Sequence, residues 1–261
     1  MNTFNVCLGH LPFPRQYTHF IDLAIAPVVF EGAPRRTAIV PDDVFGRHGH
    51  SLSEYAQLIW LRNHISELAP DAQYVNIFHY RRFVSREPVD GPKSTNNAWV
   101  TMVREDEIGA YAACFERQNH ASCFNTPVHF PEGVLGQYAS AHVLEDMLNF
   151  VKYLMEIEML DPRQAVRFLR CEHLVPACSV GIYEVGIFRK LFAYLERAAE
   201  FLNTPYFIAR ENYQRRTMGF LLERLHSFLI LEQLGRHGRF GHNMMISDSL
   251  EVTRTIRRVN G

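Results

Sequence analysis

The sequence has no strong charge imbalance, no long apolar run and no regular cysteine pattern, and each absence excludes a class of protein. The formal net charge is −1, so no overall field attracts the chain to nucleic acid or to anionic lipid. No apolar run approaches the roughly 18–20 residues that a membrane-spanning helix requires. The five cysteines are odd in number and lack C-x-x-C spacing, which argues against a disulfide framework or a zinc knuckle.

The N-terminal residues also lack the basic region and apolar segment of a signal peptide, so we expect a cytoplasmic protein. The arginines are unevenly distributed despite the neutral balance. They cluster at Arg35-Arg36, Arg81-Arg82 and Arg215-Arg216, and again within residues 236–239 and 254–258. Such clusters indicate local anion sites, although a solvated surface is the default interpretation of each pair.

Apolar residues make up 47% of the chain, as in a globular protein with a buried core. The residue pattern predicts strands over residues 4–8, 24–30, 74–78, 98–103 and 178–183. It predicts helices over residues 51–68, 106–118, 137–160, 162–171, 185–203 and 217–234. Residues 119–136 are predicted to form a loop or flap, and residues 235–261 a flexible basic tail. Alternating strands and helices favour an α/β fold, here a single domain over residues 1–261.

The most informative segment is the predicted strand that begins at Tyr74 and ends in His79-Tyr80-Arg81-Arg82. In open α/β sheets the ligand crevice lies at the C-terminal ends of the strands. Two adjacent guanidinium groups at that place can bind phosphate or carboxylate oxygens, because the arginine fork matches their geometry. The alternative is an ordinary strand end with two surface arginines.

Four segments, in order, resemble motifs of the DUF4422 family, bacterial glycosyltransferase-like proteins of capsule and surface-polysaccharide loci. One of them is the segment from Tyr74 that ends in His79-Tyr80-Arg81-Arg82-Phe83, which resembles the family's signature. Residues 53–60 are similar to the family's Cys-Glu-Leu-Thr-Ala-Leu-Tyr-Trp helix. Gln137-Tyr138 with His142 and Asp146 is similar to its Gln-Tyr…His…Asp-Leu helix. Residues 219–225 are similar to its Gly-x-Leu-Ala-Glu-Arg-Leu segment. The resemblance extends from about residue 50 to residue 232.

The sequence also departs from the family pattern. The family's first strand ends in Thr-His-Lys, whereas this chain has Gly9-His10-Leu11, so that only His10 carries over. An asparagine expected before the later strand is replaced in Ser179-Val180-Gly181-Ile182. These changes lie where the specificity for donor and acceptor would be set, and they leave the reaction class that the resemblance implies unchanged.

The resemblance implies a glycosyltransferase that moves a sugar from a nucleotide-sugar donor to a surface-polysaccharide, glycan or lipid-linked acceptor. We expect a GT-A-like α/β domain with a mostly parallel central sheet flanked by helices, and a location in the cytoplasm, peripheral at the inner membrane. Many GT-A enzymes hold a divalent metal with an Asp-x-Asp at a strand end, but the matching segment here carries arginines instead. We therefore predict no cofactor, with Mn or Mg held elsewhere as the alternative.

The donor side is predicted to comprise six residues: His10, Glu54, His79, Tyr80, Arg81 and Arg82. The arginines would neutralise the diphosphate directly. The carboxylate of Glu54 would accept hydrogen bonds from a ribose or sugar hydroxyl. The alternative for Glu54 is a capping box with Ser51, in which the glutamate only satisfies a helix N-terminus.

The predicted catalytic residues are Glu223, His142 and Asp146, and the predicted acceptor-binding residues are Gln137 and Tyr138. Glu223 would take the proton of the acceptor hydroxyl, unless an ion pair with Arg216, Arg224 or a neighbouring helix occupies it. On one continuous helix, positions 138, 142 and 146 share a face, so that Asp146 would orient the His142 imidazole. The alternative is a solvent-facing polar stripe.

Two other functional classes stay open. Clustered histidines, His48 and His50 with His10 or His129, would suit the metal site of a metal-dependent hydrolase. A non-catalytic module that binds an anionic sugar or nucleotide would keep the fold and bind the donor without turnover.

Overall fold

The fold is described from a computed structural model, which covers residues 2–9, 19–27, 37–40, 48–89, 91–94, 97–115, 121–234 and 239–247. The strands are β1 (Thr3–Leu8), β2 (Leu23–Ala26), β3 (Thr37–Ile39), β4 (Tyr74–His79), β5 (Arg82–Ser85), β6 (Lys93–Ser94), β7 (Asn97–Val103), β8 (Cys123–Asn125), β9 (Val128–His129), β10 (His173–Leu174), β11 (Gly181–Glu184) and β12 (Arg239–Ile246). The α-helices are α1 (Gly49–Leu52), α2 (Glu54–Leu68), α3 (Gly133–Ala139), α4 (Leu144–Glu156), α5 (Pro162–Leu169), α6 (Val185–Ala199) and α7 (Thr217–Leu234). Shorter 3₁₀ segments cover Glu105–Phe115, Glu200–Asn203 and Asn212–Arg216.

The main sheet is mixed, which corrects the expectation of a mostly parallel one. Its strand order is β3-β2-β1-β4-β11-β8-β12-β7-β6, and β5 pairs with both β4 and β12. Among the described strands of this sheet, five pairings are parallel and five are antiparallel. The parallel half at β1–β4 follows from the helical crossover that leads into β4, since parallel neighbours need a long connection. β9 and β10 form a separate pair.

The central strands β1 and β4 are mostly buried because both faces of the sheet are covered. In β1, Val6 and Leu8 join a core cluster with the helices, whereas Cys7 between them joins a second cluster on the opposite face. Phe78 of β4 lies on that opposite face too, against Phe115 of the first 3₁₀ segment. Buried layers on both sides therefore fix the strand register, and with it the positions of the strand ends.

The strand ends of the parallel half meet at one edge of the sheet. β1 and β4 are in register up to Leu8↔His79, and β1 and β2 up to Leu8↔Ile25. β11 runs antiparallel to β4 with Gly181 opposite Ile77, so the residues just before β11 arrive at the same edge. Side chains from three segments that are far apart in sequence are thereby brought together.

Several predicted elements are confirmed, and α7 covers the predicted range 217–234. Five predicted segments differ from the structure. The helix predicted over 106–118 is a 3₁₀ segment from Glu105 to Phe115. The helix predicted over 51–68 is broken at Ser53 into α1 and α2, and the one predicted over 137–160 is broken into α3 and α4. The predicted loop 119–136 contains β8, β9 and the start of α3. Residues 239–246 of the predicted flexible tail form β12 inside the sheet, whereas residues 235–238 and 248–261 lie outside the described residues. None of the described helices is long and apolar enough to cross a membrane.

Candidate functional site

The first turn of α2 lies over the C-terminal ends of β1 and β2. The side chain of Gln57 fixes this position, because its Nε2 donates hydrogen bonds to the backbone carbonyls of Gly9 (3.2 Å) and Ile25 (3.0 Å). Glu54, one turn earlier, is consequently held at the edge of the sheet where His79 ends β4. His10, the remaining donor-side candidate from this edge, lies outside the described residues.

Glu54 is the centre of a polar cluster at this edge, which we call the Glu54 cluster: Ser53, Glu54, His79, Ser179 and Arg216. Its Oε2 accepts hydrogen bonds from the Ser53 hydroxyl and from Arg216 Nη2 (3.4 Å), and Arg216 Nη2 also donates to Ser53 Oγ (2.7 Å). Its Oε1 accepts from the Ser179 hydroxyl (3.4 Å), which lies 3.3 Å from His79 Nε2. The two predicted donor-side residues Glu54 and His79 are thus bridged by one serine.

The backbone at Ser53 is strained to place this cluster. Ser53 has φ +56° and ψ −136°, a backbone conformation that residues other than glycine rarely adopt. Such conformations are often found at functional sites. Gly219 of α7 packs against this break, since a Cβ there would lie 3.1 Å from the Leu52 carbonyl oxygen and 3.1 Å from Ser53 Cβ. The capping box with Ser51 is absent, because Ser51 Oγ is buried without a partner among the described residues and Glu54 begins a new helix.

Glu54 carries a negative charge at neutral pH. Burial by itself would raise its pKa, but the positive charges of His79 and Arg216 and the hydrogen bond from Ser53 outweigh burial and lower the pKa to about 2. A carboxylate with so low a pKa accepts hydrogen bonds but is a weak base. Glu54 is therefore suited to hold a hydroxyl-bearing ligand rather than to act as a base.

Arg81 and Arg82 lie in the tight hairpin between β4 and β5, where His79 pairs with Arg82. Arg82 Nε is buried and has no hydrogen-bond partner among the described residues. Burial lowers the pKa of Arg82, and Arg81 lowers it further, while Glu223 and Glu54 partly restore it. A guanidinium near two carboxylates but without an ion pair to either, within the described part of the chain, is available to an anionic ligand.

Glu223 and Arg224 lie on α7, the helix whose Gly219 packs against the break at Ser53. Glu223 forms an ion pair with Arg224, with 2.9 Å between its Oε2 and Arg224 Nη1. This is the ion pair that the sequence offered as the alternative to a catalytic role. Arg224, whose side chain is only 8% exposed, also donates from Nε and Nη2 to Gln137 Oε1 (3.1 and 3.0 Å). Gln137 is therefore committed to holding Arg224. The carboxylate of Glu223 keeps 36% of its side-chain surface exposed, so it stays accessible to a ligand.

The pairing predicted between His142 and Asp146 is wrong, because the chain breaks between α3 and α4. Asp146 is buried and accepts from Arg210 (2.9 Å to Nη2). His142 instead contacts Gln214, with 3.2 Å between Nδ1 and Oε1, and its ring stacks on Phe220. Burial is the main reason why the pKa of His142 is lowered to about 4. Asp146 thus braces the segment that carries Arg210 and does not orient the imidazole.

Tyr138 is fully buried, and its hydroxyl has no partner among the described residues. Its ring lies under the guanidinium of Arg224 (5.6 Å) and beside the ring of His142 (4.8 Å). It supports the site from below and presents no exposed surface to an acceptor. Tyr80, predicted on the donor side, lies beneath the guanidinium of Arg81 in the hairpin turn (5.5 Å).

The histidines proposed for a metal site do not assemble within the described residues. His129 of β9 contacts Glu172 (3.3 Å) and the ring of His173. His48 and His50 lie at the start of α1. No group of three or more His, Cys, Asp or Glu side chains suited to a metal ion occurs in the part of the chain that the structure describes.

The comparisons with known proteins concern the fold. The structure matches the solved apo structure of WbbM, a bifunctional glycosyltransferase, with a TM-score of 0.66 and 14% identity, over 94% of this chain and 46% of that one. The chain has a glycosyltransferase-like fold. It spans less than half the length of WbbM, and at this identity the likeness concerns the fold alone. No protein-family model and no curated protein matches the chain, so its membership of the DUF4422 family stays a prediction.

On this glycosyltransferase-like fold, the Glu54 cluster includes residues that sequence reasoning missed: Ser53, Ser179 and Arg216. Arg216 had one signal, its place in the Arg215-Arg216 pair, but a pair of arginines is usually solvated. Ser179 stands at the position where the DUF4422 pattern has an asparagine. Its contact with His79 depends on the register between β11 and β4, which the sequence does not reveal. Ser53 carries no sequence signal for its strained backbone.

A buried hydrogen-bonded network anchors α7 beneath the site. His226 is fully buried, with the Tyr55 hydroxyl 3.2 Å from Nδ1 and the Tyr183 hydroxyl 3.3 Å from Nε2. The Cys178 thiol, 3.5 Å from the Tyr55 hydroxyl, donates to the Glu223 carbonyl (3.3 Å). The network therefore ties α2, α7 and the segment before β11 together, which are the elements that carry Glu54, Glu223 and Ser179.

This network predicts a loss of stability on acidification. Burial lowers the pKa of His226 to about 3, so between about pH 6.5 and pH 3 the unfolded chain binds a proton that the folded protein does not. The free energy of unfolding should then fall as the pH falls through this window, with a slope of up to about 1.4 kcal/mol per pH unit. Urea unfolding at pH 7, 6, 5 and 4 measures the slope. His226→Gln should show a shallower one, and an equal slope in the variant would contradict the assignment.

Proposed function

We propose that the chain is a glycosyltransferase that moves a sugar from a nucleotide-sugar donor to a glycan or lipid-linked acceptor, in the cytoplasm and peripheral at the inner membrane. The observation that carries the proposal is the Glu54 cluster beside Arg82, whose buried Nε has no hydrogen-bond partner in the described part of the chain, at the strand ends of a glycosyltransferase-like fold. This arrangement offers both an anionic hydroxyl acceptor and a cationic phosphate binder.

On the donor side, Arg81 and Arg82 bind the diphosphate and stabilise the negative charge that develops on it as the sugar leaves. Glu54 accepts a hydrogen bond from a donor hydroxyl, because its charge persists at neutral pH. His79 and Ser179 connect this carboxylate to the end of β4. A donor that binds here competes with Arg216 for Glu54. The existing contact is long, with 3.4 Å between Arg216 Nη2 and Glu54 Oε2.

On the acceptor side, Glu223 takes the proton of the attacking hydroxyl, as a general base does in transfer to an alcohol. Arg224 holds the carboxylate in place through its own contacts with Gln137. The proposed base acts electrostatically on the proposed phosphate-binding arginine, since Glu223 raises the pKa of Arg82.

Thermal melting against nucleoside diphosphates and nucleotide sugars tests the proposal. A ligand at a hundredfold its Kd stabilises the folded state by about 2.7 kcal/mol, which corresponds to roughly 5–10 °C for a chain of this size. We expect one nucleotide family to give such a shift, with inorganic phosphate as the control ligand. Parallel melts with Mn²⁺ and with EDTA decide whether a metal takes part. No shift with any nucleotide would contradict the proposal.

A further inference from the structure

Three aromatic rings stack directly beside the Glu54 cluster. The Tyr213 and His142 planes lie 13° apart with centroids at 6.0 Å, and the His142 and Phe220 planes 26° apart at 4.1 Å. The rings of Tyr213 and Phe220 are 5.1 Å apart. We call Tyr213, His142 and Phe220 the aromatic platform. Its three members come from the 3₁₀ segment before α7, from the break between α3 and α4, and from α7 itself.

The outer ring of the platform is open to solvent. Tyr213 is 52% exposed, although it packs against two other rings. The preceding residue, Asn212, has φ +52°, a left-handed conformation that asparagine adopts more readily than most residues, and this turn leads into the tyrosine. An aromatic side chain that is exposed and yet held in place by two further rings offers a flat face to a ligand.

The platform has a polar rim of defined hydrogen-bonding character. Gln214 Nε2 donates a hydrogen bond to the Ala141 carbonyl (3.0 Å), which directs Gln214 Oε1 toward His142. The His142 Nδ1–H then donates a hydrogen bond to this oxygen (3.2 Å). With the proton on Nδ1, His142 Nε2 is left as a hydrogen-bond acceptor. The lowered pKa of His142, mainly due to burial, keeps the ring neutral near pH 7.

One residue connects the platform to the Glu54 cluster. The guanidinium of Arg216 lies 5.5 Å from the centroid of the Phe220 ring, and its Nη2 lies 3.4 Å from Glu54 Oε2. A ligand that stacks on Tyr213 therefore has its inner end next to the residues that we propose to bind the donor. Continuity of this kind is what a transferase requires, since the acceptor hydroxyl must reach the donor sugar.

We infer that the aromatic platform is the acceptor subsite and binds a sugar ring of the glycan acceptor. This inference rests on the proposed function. The C–H bonds of a sugar ring are polarised positively by the adjacent oxygens and are attracted to the negative face of the Tyr213 ring. The sugar hydroxyls at the ring edge would reach His142 Nε2 and the Arg216 guanidinium. A single exposed ring with a polar rim suits an amphipathic sugar, and it is too small for a stable protein interface.

Binding of simple sugars provides the test. Saturation-transfer NMR would use the methyl glycosides of galactose, glucose, mannose and N-acetylglucosamine with wild type, Tyr213→Ala and Tyr213→Phe. We expect at least one glycoside to receive saturation at its ring C–H protons. Tyr213→Ala should weaken its Kd by about threefold to tenfold, whereas Tyr213→Phe retains the stacking face and should bind as wild type does. Trp99→Ala, which removes another exposed aromatic ring (37% exposed) on β7, is the matched control and should also bind normally.

Two results would overturn the inference: no glycoside binds the wild type, or Tyr213→Ala binds as tightly as wild type. Melting of the same variants with nucleoside diphosphates separates this failure from a failure of the proposed function. If the nucleotide shift persists while sugar binding ignores Tyr213, the subsite is wrong and the proposed function stands. If sugar binding depends on Tyr213 and no nucleotide stabilises the wild type, the sugar subsite stands and the transferase proposal fails.

Discussion

Glu223→Gln is expected to lower kcat by about 10²–10⁴-fold, with little change in thermal stability. Glutamine keeps the shape of the side chain and can accept a hydrogen bond, but it cannot take a proton from the acceptor hydroxyl. Stability should largely be retained because the glutamine oxygen can still accept the hydrogen bond that Arg224 Nη1 donates to Glu223. Arg224 also keeps its hydrogen bonds to Gln137 and to the Phe220 carbonyl.

The experiment measures sugar transfer with the donor that the melting panel identifies. Glu232→Gln is the matched control. Glu232 is a partly exposed glutamate near the C-terminal end of the same helix, and it pairs with Arg167 of α5. The donor-induced melting shift of Glu223→Gln should equal that of wild type, since the loss concerns proton transfer and not donor binding. Full turnover in a correctly folded Glu223→Gln protein would exclude Glu223 as the base.

Elements with a strong local pattern were predictable from the sequence. α7 matches its predicted range, because apolar residues recur along its whole length, no proline interrupts it and its one glycine, Gly219, lies in the first turn. β1 and β4 are rich in apolar residues, since both faces of the sheet are buried. In these segments local propensity and tertiary environment favour the same structure, so a single-sequence pattern is sufficient.

Pairing and breaks were not predictable, because both depend on distant residues. β12 contains polar residues and glycine, and it becomes a strand only through parallel pairing with β7 and β8 and antiparallel pairing with β5. The antiparallel pairing of β11 with β4 likewise has no local signal. The break at Ser53 interrupts a sequence that reads as one helix, and it is stabilised by the close approach of Gly219 from α7.

The same reason divides the candidate site into a predicted and an unpredicted part. Glu54, His79, Arg82 and Glu223 were identified from motif order and side-chain chemistry, and the structure brings Glu54 and His79 into one cluster. The relation between His142 and Asp146 failed because helical spacing holds only on an unbroken helix. The Arg216 contact with Glu54 spans 162 residues of sequence, a separation at which spacing carries no information.

Arg82 is the residue whose replacement should weaken ligand binding without destabilising the fold. Its buried Nε has no hydrogen-bond partner within the described residues, and burial lowers the pKa of its guanidinium. An unpaired buried donor costs folding free energy, on the order of 1–3 kcal/mol. Such a cost at the strand end of a candidate site is typical of a residue kept for a ligand.

Arg82→Met is therefore expected to weaken the Kd for a nucleoside diphosphate by roughly tenfold to a hundredfold, since hydrogen bonds to charged groups contribute about 1.5–3 kcal/mol. The melting temperature without ligand should not fall, because methionine fills the space of the arginine stem and removes the unpaired donor. Arg163→Met on the exposed face of α5 controls for the loss of one positive charge. Melting curves with and without nucleotide measure both quantities. A variant that binds nucleotide normally would show that Arg82 does not contact the donor, and one that melts several degrees lower would show that it stabilises the fold instead.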